Sequence, residues 1–130
     1  MHKVFVVCND FASSVKLQRS FHSADFEVCI TSQDSVKAAV LAIELLPHLV
    51  VIEWLRDGVS LDIAEAIRVF APDVPIFLIV SMPTMESERE ALEHGFDAVF
   101  EKDDNRSLML NAKAIIKSLL DSEPTKDDSS

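Results

Sequence analysis

Glycine is nearly missing from this chain: two residues in 130. A β-sandwich with many tight turns needs more, and so does a glycine-rich loop wrapped around a phosphate chain, which excludes most nucleotide-binding loops. Positive charge is also scarce. Twelve Lys and Arg stand against twenty-two Asp and Glu, a net charge of −10, which repels a phosphate backbone and argues against nucleic acid as a direct ligand. A protein partner suits this charge better. Long apolar runs are absent as well: Ala38 to Leu46 and Pro75 to Met82 fall well short of the roughly 20 residues that span a bilayer, so no membrane partner is expected. The chain opens with Lys3 ahead of a short β-branched run, without the apolar stretch and small-residue cleavage site of a secretory signal; the expected location is the cytoplasm.

Cysteine is limited to Cys8 and Cys29, each inside an apolar strand-like run. Two cysteines make neither a metal spacing nor a disulfide framework, so both are expected to be reduced core thiols. The histidines His2, His22, His48 and His94 are scattered, without acidic or cysteine neighbours at ligand spacing and without a Ser or Cys partner in a catalytic motif. No metal, no cofactor and no enzymatic activity are expected from them.

What is present is a regular alternation. Apolar residues make up 48% of the chain and charged residues 26%, the balance of one folded domain with a single core. Short β-branched runs alternate five times with stretches of helical period. The expected strands are Val4 to Cys8, Glu27 to Thr31, Leu49 to Ile52, Ile76 to Val80 and Ala98 to Phe100. The first, third and fourth contain runs apolar at every position, as strands covered on both faces must be, whereas the second alternates and the fifth is short, which places both at the edges. Between them, apolar stripes mark helices: Val15, Leu17, Phe21 and Ala24; then Val36, Ala39, Val40 and Ile43; then Ile63, Ala66, Ile67 and Phe70. The fourth helix, Glu86 to His94, is strongly polar and stops at Gly95, suited to a left-handed C-cap. Leu108, Ala112, Ile115 and Leu119 form the stripe of the fifth, with Lys113 and Lys117 outside. From Asp121 to Ser130 the composition turns to Asp, Glu, Ser, Thr and Lys, so residues 1–120 are expected to form the domain and 121–130 a disordered acidic tail or the start of a linker.

Five βα units with right-handed crossovers give an α/β fold: a three-layer, doubly wound (βα)5 sandwich with helices on both faces of a five-stranded parallel sheet. In the flavodoxin-like order 2-1-3-4-5, ligands bind beyond the carboxyl ends of the strands where the first and third lie side by side. The residues that matter are those ending the strands: Cys8-Asn9-Asp10 after the first, Glu53-Trp54 after the third, Val80-Ser81 after the fourth and Glu101-Lys102 after the fifth.

This register resembles the receiver domains of bacterial two-component response regulators over nearly the whole of Lys3 to Leu120. The resemblance rests on Pro47 before strand three, a carboxylate at Glu53, Gly58 in the following loop, Pro75 before strand four, Gly95 before strand five, and Lys102 seven residues beyond that glycine. It implies phosphorelay signalling, in which an Asp ending strand three takes a phosphoryl group from a histidine kinase. An acidic pair ending strand one holds Mg²⁺ with it, a Thr or Ser ending strand four bonds the phosphoryl oxygens and a Lys ending strand five neutralises them.

Several of these positions depart from the pattern. Cys8 and Asn9 stand where the acidic pair belongs, a soft thiol and a neutral amide in place of two hard oxygen ligands. Asp10 is adjacent, but neighbouring strand residues face opposite ways. Glu53 occupies the acceptor position, its extra methylene carrying the carboxylate about 1.5 Å further out and spoiling in-line attack. Val80 occupies the hydroxyl position, with Ser81 a substitute only if the strand end shifts by one. Lys102 alone survives from the phosphorylation site. Either it forms a built-in ion pair with Glu53, imitating a phosphorylated Asp, or Glu53 is a solvent-facing strand end with no particular partner. The expectation is a pseudo-receiver: a signalling module that binds protein and takes no phosphate. Its alternatives are a phosphorylatable receiver with a non-standard acceptor, Glu53 or Asp10, and a flavodoxin-like cofactor domain, which the glycine-free loop Asn9 to Ser14 disfavours.

Candidate partner-binding residues follow from the same register. Trp54 and Leu55 put an aromatic and an aliphatic side chain beside the strand ends, where they either anchor an interface or fold over the pocket. Helix four carries Glu86, Glu88, Glu90 and Glu93, a pattern that is usually only a solvated face. The resemblance nonetheless implies that helix four, strand five and helix five can pair with an output domain or a second receiver. Arg106, Lys113 and Lys117 on helix five oppose the acids of helix four in sign, which makes a symmetric homodimer conceivable.

Overall fold

The structure is a computed structural model that describes residues 1–32 and 35–122. Five strands and five helices alternate along it: β1 (His2–Val7), α1 (Phe11–Ser23), β2 (Phe26–Thr31), α2 (Lys37–Leu45), β3 (Leu49–Glu53), α3 (Val59–Phe70), β4 (Ile76–Val80), α4 (Met85–Glu93), β5 (Ala98–Glu101) and α5 (Asn105–Ser122). All strand pairs are parallel, and the order is β2-β1-β3-β4-β5. The doubly wound sandwich is thus the one expected from the alternation, and the strand order is the expected flavodoxin-like one.

The period of two along each strand builds two cores, one on each face. Val4 and Val6 of β1, Leu49 and Val51 of β3, and Phe77 and Ile79 of β4 meet Leu17 and Phe21 of α1 and Leu108 and Ala112 of α5. Phe5 and Val7, Val50 and Ile52, Ile76 and Leu78 face the other way, onto Ala39 and Ala42 of α2 and Ile63 and Ile67 of α3. The same alternation assigns the strand ends: Cys8, continuing from Val4 and Val6, belongs to the α1–α5 side, whereas Val80 packs on the α2–α3 side.

Burial and element ends differ from expectation in four places. In α2 the buried residues are Ala38, Ala39 and Ala42, while Val36 and Val40 are half exposed; the helix is apolar nearly all round, so periodicity could not choose its face, and small alanines allow the closest approach to the sheet. Phe70 is exposed and rims an open groove with Leu46 and Pro47, because helical spacing fixes a direction around the axis but not whether anything lies opposite the last turn. Cys29 is exposed on the edge strand β2 rather than a core thiol. Helix α5 runs through Asp121 and Ser122, past the expected boundary at 120, and the rest of the expected tail, 123–130, lies outside the described residues.

Arg68 at the end of α3 ties the bottom of the sheet together. Its guanidinium donates to the carbonyls of Val74 and Gly95, each at 2.6 Å, and pairs with Asp97 at 2.9 Å. Gly95 sits at φ +100 in the turn into β5, a conformation that a side chain would strain.

Candidate functional site

The carboxyl ends of β1, β3, β4 and β5 bring Cys8, Asp10, Glu53, Ser81 and Lys102 to one end of the sheet. Backbone bonds fix the ends of three of these strands. The Cys8 N–H continues the β1 ladder to Thr31 O at 3.0 Å, the Trp54 N–H continues β3 to Ile79 O at 2.8 Å, and the Lys102 N–H continues β5 to Val80 O at 2.7 Å.

Asp10 is the N-cap of α1. Its Oδ2 accepts from the Ser13 N–H at 3.3 Å and the Ser13 hydroxyl at 2.6 Å, satisfying a donor that the helix leaves free. The same oxygen stands 3.2 Å from Lys102 Nζ. The Ser13 hydroxyl and then Lys102 hold the Asp10 carboxyl below the usual carboxylate range. Lys102 is raised in turn, first by Asp10 and then by the charge of Glu53. Asp10 therefore reaches the pocket, against the expectation from strand alternation. The strand has ended at Val7, and the cap turns the side chain inward.

Glu53 corrects both alternatives drawn for it. It is not solvent-facing, with 8% of its surface exposed, and Lys102 makes its ion pair with Asp10 instead. One carboxylate oxygen, Oε2, is buried without a hydrogen-bond partner. The backbone around it is fixed by Ser60, whose hydroxyl donates to the Glu53 carbonyl and accepts from the Leu55 N–H, both at 2.7 Å. That clamp pulls the loop over the α2–α3 core and buries Leu55 to 2% exposure, so Leu55 is a core residue and not an exposed anchor. Trp54 beside it stays 42% exposed.

Cys8 is buried, its thiol 3.4 Å from the Asp10 carbonyl, and burial, with the neighbouring Glu53, pushes its pKa up to about 11. Asn9 is exposed. A hard divalent cation does not fit this set: the thiol stays protonated, Asp10 is committed to Ser13 and Lys102, and one carboxylate, Glu53, remains. Among the described residues no three His, Cys, Asp or Glu side chains converge.

Two clefts open on either side of Lys102, and both are walled by Glu53 and Lys102. One, of 380 Å³, is lined also by Trp54, Val80, Ser81 and Glu90. The other, of 640 Å³, includes Asp10, Lys16, Asp103 and Asn105. Met82 and Met85 are well exposed beside the first. Of the candidate partner residues, Glu86 and Glu90 on α4 and Arg106 and Lys113 on α5 are all exposed. No ion pair joins these two helices among the described residues. Ser13 and Ser60 were not singled out from the sequence. For Ser13 the signal existed, an Asp three residues earlier at a helix start; for Ser60 there was none.

Solved structures that share this fold include receiver domains. A CheY-like response regulator receiver domain protein from Methanospirillum hungatei matches with a TM-score of 0.80 at 17% identity, over 95% of this chain and 99% of that one. A two-component response regulator from Clostridium difficile gives 0.80 at 20% identity, over 92% and 98%. The receiver domain of the Francisella response regulator 1452 gives 0.78 at 16% identity, over 92% and 99%. No protein-family model and no curated protein sequence matches the chain. The fold is that of a response-regulator receiver domain.

Proposed function

We propose that this chain is an atypical receiver domain that works in signal transduction by binding protein and carries no phosphoryl group. The observation that supports this most directly is Glu53. At the acceptor position it presents a buried carboxylate on a longer arm, with the lysine that would neutralise a phosphoryl group engaged by Asp10 at 3.2 Å. Cys8, Asn9 and Val80 supply neither the acidic pair nor the hydroxyl that the chemistry needs. The module catalyses no reaction of its own and acts in the cytoplasm. The exposed acids of α4 and bases of α5 favour an output domain or a second copy as the partner on the α4-β5-α5 face.

Incubation with acetyl phosphate and Mg²⁺ followed by intact-mass measurement tests the proposal. The mass should stay that of the unmodified chain; a phosphate on most molecules would overturn it. The phosphorylatable alternative has to use Asp10 or Glu53, and the site of any label would name which.

A further inference from the structure

Helix α2 is apolar at seven of its nine residues, and only Lys37 and Glu44 are charged. A helix apolar nearly all round belongs in an interior. Ala38, Ala39 and Ala42 bury one side of it against the sheet, yet the other side stays open, with Val40 54% and Leu41 41% exposed. Lys37, Val40, Leu41 and Glu44 follow the spacing i, i+3, i+4, i+7, so they share this outer face. Val36, half exposed, precedes it, and Leu46, well exposed, follows it.

The two charges of the face are exposed and make no ion pair among the described residues. They also stand at the wrong ends of their helix. Lys37 is its first residue and Glu44 its last but one, whereas the helix dipole favours an acid at the N-terminus and a base at the C-terminus. No side chain caps the N-terminus to offset this. Charges set against the local preference point to a neighbour that reverses the balance. An antiparallel copy of the same helix does so: its lysine arrives at the C-terminal end of α2, beside Glu44, and its glutamate at the N-terminal end, beside Lys37.

We propose that the outer face of α2 docks on the same face of a second copy of this chain, antiparallel about a two-fold axis through Val40 and Leu41. Lys37 then meets Glu44 of the second copy and Glu44 meets its Lys37, while Val40 lies against its Leu41. A single patch serves both copies, as a two-fold requires. The patch is itself neutral, which matters for chains that each carry −10 and repel elsewhere. Nine residues make roughly two and a half turns, short of the about 800 Å² per partner of a stable complex, so the dimer is weak and reversible. It lies toward the β2 edge of the sheet, leaves the α4-β5-α5 face at the other edge free for an output domain, and does not depend on the state of Glu53.

Sedimentation equilibrium of the full chain up to high micromolar concentration, with amide NMR spectra over the same dilution series, tests this. The wild type should dimerise reversibly, with concentration-dependent shifts centred on Val36 to Glu44. Lys37→Glu and Glu44→Lys each set like charges against each other at two symmetric places and should weaken the dimer at least roughly tenfold. Both substitutions also move charge to the helix end that favours it, so the fold is kept. The double swap, Lys37→Glu with Glu44→Lys, should restore the wild-type constant, and so should an equimolar mixture of the two single variants. A wild type that stays monomeric throughout would overturn the proposal and give the face to a different occupant. A dimer that withstands both single swaps, or that the double swap fails to restore, would also overturn it. Shifts centred on α4 and α5 instead would move the contact to the α4-β5-α5 face and overturn it as well.

Discussion

Lys102 Nζ lies 3.2 Å from Asp10 Oδ2, across the carboxyl ends of β1 and β5, and not on the Glu53 carboxylate that it also flanks. Two features decide this. Asp10 is already fixed as the cap of α1 by Ser13, so pairing with it costs little further order. Lys102 is fixed by its own backbone bond to Val80. The result is a strand-end cluster in which the first helix and the last strand are joined by charge while the central carboxylate is left over.

Asp10 has two roles that substitutions can separate. Asp10→Asn keeps the cap and loses the ion pair; Asp10→Ala loses both. The thermal midpoint should fall clearly for Asp10→Ala and little for Asp10→Asn or Lys102→Ala, since a half-exposed ion pair is screened by solvent. Because the folded-state pKa of Asp10 is depressed, its stabilising contribution is complete above the unfolded value of about 3.9 and is lost as pH falls through the lower folded value. Acid unfolding curves of the wild type and Asp10→Asn should therefore converge at low pH. Curves that stay separated there would assign the effect to something other than this carboxylate.

Ser60→Ala should destabilise the domain by about 1 to 3 kcal/mol, because it leaves the buried Leu55 N–H without an acceptor. Its second consequence is local. With the Glu53 carbonyl also released, hydrogen exchange should rise from Glu53 to Gly58 ahead of the rest of the sheet. Uniform acceleration across all strands would mean that the clamp is only one contact among many.

The sequence exposed those features that depend on period and length. β4 spans Ile76 to Val80 as expected, since an all-apolar run bounded by Pro75 and Ser81 admits few alternatives, and the pattern of apolar runs placed β2 and β5 at the edges. What it hid depends on which of several equivalent groups meets a neighbour. Asp10 and Glu53 are both carboxylates near Lys102, and only the cap geometry of α1 decides between them. Trp54 and Leu55 are adjacent apolar loop residues with opposite fates, set by one hydroxyl at Ser60. Val40 and Ala39 differ by a single step around a helix apolar on most sides.

Cys8 and Cys29 should differ sharply toward an alkylating reagent. Cys29 is exposed, whereas Cys8 is buried with its pKa pushed up to about 11, leaving almost no thiolate near neutral pH. Iodoacetamide at pH 7.5 should add a single label, at Cys29, and a second only in denaturant. Labelling of Cys8 in the native protein at a comparable rate would show that β1 opens at its carboxyl end.

His94 follows α4 with its Nδ1 2.8 Å from the Glu90 carbonyl. That bond, with the nearby charges of Glu65, Glu90 and Glu93, raises its pKa. The protonated ring is favoured in the folded state, so its contribution is present in full below the unfolded value of about 6.5 and is lost as pH rises through the folded value. An NMR titration should place its midpoint above that of a free histidine, and in His94→Gln the decline in stability over that window should disappear. A midpoint at or below the free value would remove the Glu90 contact from solution.

Glu53→Met should make the domain more stable. The carboxylate at 53 is buried to 8% exposure with one oxygen unpartnered, and methionine has nearly the same length, can follow the same path and has no lone charge to desolvate. Removing an unsatisfied polar group of this sort should raise the unfolding free energy by about 1 to 3 kcal/mol, visible as a higher urea midpoint at unchanged slope. The neighbouring Cys8 thiol offers a second readout, since Glu53 is one cause of its raised pKa and the substitution should move that value down. A residue that lowers stability where it sits is one a chain keeps for another reason. If Glu53→Met is instead less stable than the wild type, the carboxylate is satisfied in solution by a donor such as Lys102, and the ion pair with Asp10 is one of two arrangements that the lysine samples.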